Sequence, residues 1–175
     1  EHVSTISAAV MEGRKAGSEG ERMTAEYVTG IFKKYGVDVL SGEDGDVFGI
    51  RQESGDTLTS RNVIAYIQGG DKTLRNKYIV IGARMDNLGT DTMTIDGRTV
   101  GRTYYGANGN ASGLAMMLEL SRMLRTNSPL LGRSVLFVAF GASMQTYAGS
   151  WYFLNRAFSD VEDIVYDEWD DDDDD

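Results

Sequence analysis

The clearest indication of the architecture is an unbroken run of six apolar residues, Val135-Leu136-Phe137-Val138-Ala139-Phe140. A strand with one face in solvent alternates apolar and polar residues, whereas a strand that is covered on both faces is apolar throughout. The run therefore predicts a central strand in a sheet that has helices packed on both sides.

Segments with strand and helix patterns alternate around this run. Two shorter apolar runs, Val63–Ile67 and Tyr78–Ile81, have strand character, and the spacing of apolar residues predicts helices over 18–36, 111–125 and 148–158. This alternation favours an α/β fold, and we expect a three-layer αβα sandwich with a mixed, largely parallel central sheet.

Two local signals refine this outline. The first helix begins with the capping box Ser18-x-x-Glu21 and ends at Gly36. The polar stretch 89–106 contains three glycines and is expected to form a surface hairpin or a loop at the rim of a pocket.

The net charge of −10 is a property of one end of the chain. Eleven of the 27 acidic residues lie from Asp160 onward, which leaves 16 acidic residues in positions 1–159 against 17 Lys and Arg. With 175 residues in total, we expect one domain over residues 1–160 and an acidic C-terminal tail over 161–175.

Composition excludes several classes of function. The basic residues are too dispersed for a nucleic-acid footprint, and no apolar run approaches the roughly 18 residues of a membrane span. There is no cysteine, and the lone histidine, His2, is expected at a mobile terminus. Thiolate nucleophiles, Ser-His-Asp triads and metal sites built from Cys or His are therefore not expected in the folded body.

Three segments are predicted at the carboxyl ends of strands, where ligands bind in open α/β sheets. They are Ala83–Asn87, Gly106–Gly113 and Gly141–Gln145. The glycine-rich middle segment leads into a helix but lacks the pattern of a phosphate-binding loop. We expect Asn110 or Ser112 to act there as a plain N-cap.

Four groups of short motifs occur in the order in which a known family has them. They are Gly13–Glu21 with Tyr27-Val28; Asn62–Ala65 with Ile79–Ala83; Gly106–Gly113 with Leu118–Leu120; and Phe137–Ala142 with Ala148–Ser150 and Tyr152-Phe153. Together they cover most of residues 12–158. The chain thereby resembles the M28 family of zinc aminopeptidases.

The resemblance implies a site with two zinc ions, bridged by a carboxylate and a water, and a glutamate as general base. The family's histidine ligand falls on Arg84, its bridging aspartate on Gly109, and its catalytic and ligating glutamates on Ser143 and Met144. Asp86 alone keeps the matching residue, which in the family supports a metal ligand.

The substituted residues do not suit zinc. Gly109 has no donor atom, Met144 offers only a soft thioether, and Ser143 is no base at neutral pH. Arg84 keeps its positive charge and would repel a cation. We expect it to pair with Asp86, since residues i and i+2 of a strand share a face.

These substitutions predict a vestigial pocket with no catalytic residue, metal ligand or cofactor, formed by Arg84, Asp86, Gly109, Asn110, Ser143 and Met144. The function that follows is a catalytically inactive, aminopeptidase-like binding or scaffolding module for a peptide or protein partner. From the resemblance alone, we expect it in the periplasm or outside the cell.

Two alternatives stay open. One is an active zinc-dependent aminopeptidase whose site, and whose zinc, depend on residues that are not in this chain. The other is metal-free hydrolysis by a pair of carboxylates drawn from Asp86, Asp91, Asp96 and Glu119.

Overall fold

The computed structural model describes residues 1–157, so the end of the expected domain at residue 160 and the expected tail over 161–175 lie outside the described residues. The α-helices in this range are α1 (His2–Ile6), α2 (Glu19–Lys34), α3 (Ser112–Thr126) and α4 (Ala148–Ala157). The strands are β1 (Asp38–Val39), β2 (Asp46–Arg51), β3 (Thr57–Ile67), β4 (Tyr78–Arg84), β5 (Gly89–Ile95), β6 (Arg98–Tyr104) and β7 (Ser134–Phe140).

The main sheet has the strand order β1-β3-β7-β4, with β2 also paired to β3. Strand β7 pairs parallel with β4, while β3 pairs antiparallel with β7, β1 and β2. The sheet is mixed, as expected, but among the described strands it is mostly antiparallel rather than largely parallel. A tight turn joins β2 to β3 and fixes their antiparallel pairing, whereas the crossover through α3 allows β4 and β7 to run parallel.

Strand β7 is buried between two layers of helices, which confirms the central strand predicted from its sequence. On one face the Phe137 ring packs against Phe32 of α2, with ring centroids 5.9 Å apart. On the other face Phe140 meets Phe153 of α4, also at 5.9 Å. Side chains alternate between the two faces along a strand, so Phe137 and Phe140, three positions apart, point to opposite faces. Helices α2 and α4 therefore lie on opposite sides of the sheet. The described part therefore has the three layers expected of an αβα sandwich.

Helix α2 begins and ends where the sequence predicts. The Ser18 hydroxyl accepts a hydrogen bond from the Glu21 backbone N–H at 3.3 Å. Gly36 has φ of +71°, a left-handed conformation that favours glycine after a helix. The capping box is not reciprocal, because the Glu21 carboxylate accepts from the Gly17 N–H instead.

The polar stretch after β4 forms a hairpin. Among the strands of residues 1–157, β5 and β6 pair only with each other, in antiparallel register from Gly89 opposite Tyr104 to Ile95 opposite Arg98. Most of the hairpin is exposed. Among residues 1–157 no helix has the length and apolar character required to cross a membrane.

The expectation of a mobile N-terminal histidine is wrong. His2 lies in α1, and its ring nitrogens are within hydrogen-bond distance of the hydroxyls of Tyr27 (2.7 Å) and Tyr35 (2.9 Å). Its Nε2 also lies 3.1 Å from the Glu119 carboxylate on α3. These polar partners on α2 and α3 fix the first helix to the body of the protein, and they give Glu119 a structural role.

We predict that Phe137→Ala lowers the free energy of unfolding by about 3–5 kcal/mol, because it removes a fully buried ring from the central strand. Urea denaturation measures this. Ile95→Ala serves as the control, since Ile95 is half-exposed at the end of the hairpin and should change the free energy by less than about 0.5 kcal/mol. Equal losses in the two variants would contradict the placement of β7.

Candidate functional site

The three segments predicted at the carboxyl ends of strands meet at one end of the sheet. The Asn110 amide donates to the Arg84 carbonyl at 3.0 Å, which ties the turn before α3 to the end of β4. The Met85 N–H donates to the Phe140 carbonyl at 2.8 Å, which ties the end of β4 to the end of β7. Beside these contacts lies an open cavity of about 440 Å³, lined by Arg84, Asn110, Phe140, Ser143, Tyr147 and Ser150.

Asp86 lies beneath this cavity and is fully buried. One carboxylate oxygen accepts from the Ser143 N–H at 2.8 Å, and the other accepts from the Met144 N–H at 2.9 Å. Burial raises the pKa of Asp86, while these backbone hydrogen bonds oppose that rise. Asp86 therefore holds the loop after β7 in place.

The expected ion pair between Arg84 and Asp86 is wrong. Strand β4 ends at Arg84, so the alternation that would place both side chains on one face does not extend to Asp86. Arg84 lines the cavity instead, and its Nε is buried without a hydrogen-bond partner among the described residues. Within residues 1–157 it forms neither a hydrogen bond nor a salt bridge.

A second arginine, Arg14, lies fully buried behind the site, and no role was predicted for it beyond its place in a motif. Its guanidinium donates to four backbone carbonyls: Met85 at 3.1 Å, Ile6 at 2.8 Å, Tyr105 at 2.7 Å and Gly106 at 3.0 Å. Arg14 thus connects the end of α1, the end of β4 and the turn before α3.

Arg14 and Arg84 place two positive charges around one buried carboxylate. Burial lowers the pKa of Arg14; the negative charge of Asp86 opposes this effect, and the positive charge of Arg84 adds to it. No salt bridge joins Arg14 to Asp86 among the described residues. Asp86 therefore acts on Arg14 through its charge, without direct contact.

Glu21 is a second buried carboxylate at this end of the sheet. It accepts from the Ser60 hydroxyl at 2.7 Å, the Gly17 N–H at 2.8 Å and the Ala142 N–H at 3.3 Å. Burial raises the pKa of Glu21, and the charge of Asp86 raises it further. The capping-box pattern located this glutamate, but its burial and its contact with the β7 loop depend on the tertiary structure.

Four successive backbone N–H groups of the loop after β7 are held by side chains. Asn62 accepts from Gly141 at 3.1 Å, and Glu21 and Asp86 accept from residues 142–144. Ser143 lines the cavity, whereas the Met144 side chain is exposed and does not.

Gly109 is packed against Asn87, a residue for which no role was predicted. A Cβ atom at position 109 would lie 2.9 Å from Asn87 Oδ1. Asn87 is buried, and its amide donates to the Tyr104 carbonyl at 2.8 Å, so the side chain is not free to withdraw. The space for a side chain at position 109 is therefore already taken.

Neither Asn110 nor Ser112 caps α3, contrary to expectation. Ala111 holds the N-cap position, and no side chain caps it. Asn110 has φ of +84°, and its side-chain amide is directed to the Arg84 carbonyl. A side chain engaged in that contact is not available to the first N–H groups of the helix.

The acidic residues considered for metal-free hydrolysis do not come together. Asp91 and Asp96 lie on the exposed hairpin, and Asp86 is buried. Glu119, on α3, is hydrogen-bonded to His2, Tyr35 and Arg122. No pair of carboxylates lines the cavity beside Arg84.

The described residues do not fit a pair of zinc ions. Residues 1–157 contain no cluster of three His, Cys, Asp or Glu side chains that could hold a metal. At the matched positions stand a guanidinium, a glycine packed on Asn87, a hydroxyl and an exposed thioether. Both Asp86 oxygens already accept backbone hydrogen bonds.

Comparison with known proteins gives one consistent relationship. A model of peptidase family M28 matches residues 62–166. The chain is 28% identical over 166 residues to the alkaline phosphatase isozyme conversion protein of Escherichia coli, covering 92% of this chain and 45% of that protein.

Solved structures share the fold. A glutaminyl cyclase of Fimbriiglobus ruber is 23% identical with a TM-score of 0.62, covering 80% of this chain and 43% of that one. A Zn-dependent exopeptidase of Parabacteroides distasonis is 15% identical with a TM-score of 0.57, covering 81% and 44%. The chain has the α/β fold of these proteins and spans less than half the length of each.

We predict that Gly109→Ala destabilises the protein by about 1–3 kcal/mol, because the added Cβ would overlap Asn87. Gly101→Ala is the matched control, since a Cβ at Gly101 meets nothing within 4 Å. Urea denaturation of both, with Asn87→Ala in a double-mutant cycle, measures the coupling. Additive effects of the changes at 87 and 109 would show that the two positions do not compete for space.

We predict that the stability advantage of the wild type over Asp86→Asn shrinks as pH rises. The folded-state pKa of Asp86 is raised, so the folded protein binds more protons than the unfolded chain between the two pKa values. Its stability then falls as pH rises from the ordinary pKa through the folded-state pKa. Urea denaturation at several pH values above about 4 measures the difference.

Asp71→Asn provides a control of opposite sign. Backbone hydrogen bonds from Leu74 and Thr73 lower the pKa of Asp71. The wild-type advantage over this variant is therefore present above the ordinary pKa and is lost as pH falls. A wild-type advantage over Asp86→Asn that instead grew with pH would mean that Asp86 is not a desolvated carboxylate.

Proposed function

The chain belongs to peptidase family M28, and we propose that it is a catalytically inactive member that acts as a binding or scaffolding module for a peptide or protein. In this proposal the zinc chemistry of the family is absent, and the remaining cavity at the carboxyl ends of the strands is the binding site.

The observation that carries the proposal is the position of Arg84. Arg84 lines the cavity, and the family resemblance places a metal ligand at this position. Two like charges about 4 Å apart oppose each other by about 4 kcal/mol at an effective dielectric constant of 20, and a divalent cation doubles the effect. Arginine also keeps its proton throughout the physiological pH range.

The loop after β7 supports the same conclusion. Glu21 and Asp86 hold the backbone of residues 142–144 directly. The loop therefore keeps its conformation through contacts that involve no metal, and the residues that it presents, Ser143 and Met144, carry no charge.

An active zinc-dependent aminopeptidase is the second candidate. It is favoured by the family itself and by the Escherichia coli relative, of which this chain covers only 45%. Additional segments could contribute ligands. They would also have to supply a bridging acid and a general base in place of Gly109 and Ser143, and space at Gly109 is blocked by Asn87.

We predict that the full-length native protein does not hydrolyse aminoacyl p-nitroanilides above the uncatalysed rate, with or without added Zn²⁺. We also predict that it retains less than one equivalent of zinc after dialysis, measured by metal analysis. The reason is the shortage of donor atoms at positions 84, 109, 143 and 144.

A panel of substrates with apolar, basic and acidic first residues covers the main specificities. Turnover that is abolished by a chelator and restored by Zn²⁺ would support the second candidate and contradict the first. Arg84→His is a useful companion variant, since a modest gain in zinc affinity is expected when the guanidinium is replaced by an imidazole.

A further inference from the structure

We propose that the cavity beside Arg84 binds the C-terminal carboxylate of a peptide. This inference rests on the proposed function, because it assigns a ligand class to the binding module. It is carried by the unsatisfied guanidinium of Arg84, by the absence of negative charge among the lining residues, and by the size and apolar walls of the cavity.

The hydrogen-bonding state of Arg84 differs from that of the other partly or fully buried arginines. Arg14 donates to four carbonyls, and Arg61, whose Nε also lacks a partner, still donates from Nη1 to the Asp44 carbonyl. Arg84 has a buried Nε without an acceptor and forms no salt bridge within residues 1–157. A carboxylate ligand would therefore displace no protein partner from this guanidinium within residues 1–157.

The local charges favour an anion. The cavity is lined by Arg84 and five residues without formal charge. Asp86 is buried and has both oxygens engaged by backbone N–H groups, so it does not compete for the guanidinium. Arg14 adds a second positive charge behind the site and lies close enough to interact electrostatically with Arg84.

A carboxylate fits this donor set better than a phosphate. One guanidinium can donate two parallel N–H bonds to a carboxylate and so neutralise its single charge. A phosphate dianion would leave one charge without a partner, since no other cationic side chain lines the cavity in the described part of the chain. The Ser143 and Ser150 hydroxyls already donate to the carbonyls of Phe140 and Tyr147, so the contact with the carboxylate is assigned to the guanidinium alone.

The remaining walls suit a peptide end. The rings of Phe140 and Tyr147 line the cavity and offer apolar surface to a side chain next to the carboxylate. A volume of about 440 Å³ lies in the lower part of the range of small-ligand sites, which is enough for one or two residues. The cavity is open to solvent, so a longer chain can leave it.

The test is a calorimetric titration of the full chain with N-acetyl-Leu-Phe and with the same dipeptide carrying a C-terminal amide. We expect the free acid to bind at least tenfold more tightly than the amide. Arg84→Gln should weaken binding of the acid roughly tenfold to a hundredfold and leave the amide unchanged, because it removes only a charge-assisted contact. Arg98→Gln, on the exposed hairpin, is the matched control and should bind both ligands as the wild type does.

Three results would overturn the inference: equal binding of acid and amide, full retention of acid binding by Arg84→Gln with native circular dichroism, or tighter binding of inorganic phosphate than of the peptide acid. Hydrolysis of a peptide during the titration would contradict the proposed function, while the preference for the free acid would still be measured. If the protein neither hydrolyses nor binds the peptide acid, the inference of a carboxylate site is wrong, while the proposal that the protein is catalytically inactive is not contradicted.

Discussion

Two buried carboxylates, Glu21 and Asp86, hold the backbone of the loop after β7, and the geometry of the candidate site depends on this contact. Burying a carboxylate is costly unless its oxygens are satisfied by hydrogen bonds. Here both carboxylates accept from backbone N–H groups of residues 142–144. The loop includes Ala142 and Tyr147 in left-handed conformations that cost about 1 kcal/mol or more in residues other than glycine. The hydrogen bonds to the carboxylates offset that strain.

Arg14 is the cationic counterpart of this arrangement. Its guanidinium is satisfied by carbonyls from three parts of the chain, so its charge is stabilised by backbone dipoles in the absence of a direct salt bridge. Truncating such a group would leave several carbonyls without donors, which costs more than the net value of the bonds themselves. Arg14 therefore fixes the relative positions of the segments that carry Arg84 and Gly109.

The parts of the fold that were predictable from the sequence are those that local patterns determine. The continuous apolar run identified β7 as a central strand, and the capping residues located α2, because burial on two faces and helix capping are visible in a few neighbouring residues. The direction of most strand pairs was not predictable in this way. It depends on how the connections cross the sheet, and the expected parallel pairs proved to be antiparallel around β3.

The site was predictable in its location but not in its contacts. The segments at the strand ends do meet, but two predicted contacts are wrong. The pairing of Arg84 with Asp86 assumed that the strand continues past Arg84, where β4 ends. The capping by Asn110 or Ser112 assumed a standard N-cap at the start of α3, where Ala111 holds that position. The roles of Arg14, Glu21 and Asn87 escaped prediction because nothing in the local sequence indicates that a charged or amide side chain will be buried. Their burial is a consequence of packing between segments that are distant in the sequence.

The retention of Asp86 has an explanation that does not involve metal. In the matching that the family resemblance implies, it alone keeps the family's residue, and in this structure it accepts hydrogen bonds from the N–H groups of Ser143 and Met144. This carboxylate therefore has a structural task, which is to hold the loop beside the cavity. Asn87 is packed where a side chain at position 109 would extend, so the residues at this end of the sheet are closely fitted to one another. A cavity that is maintained in this way, with an arginine at its wall, is suited to bind an anion rather than to coordinate a cation.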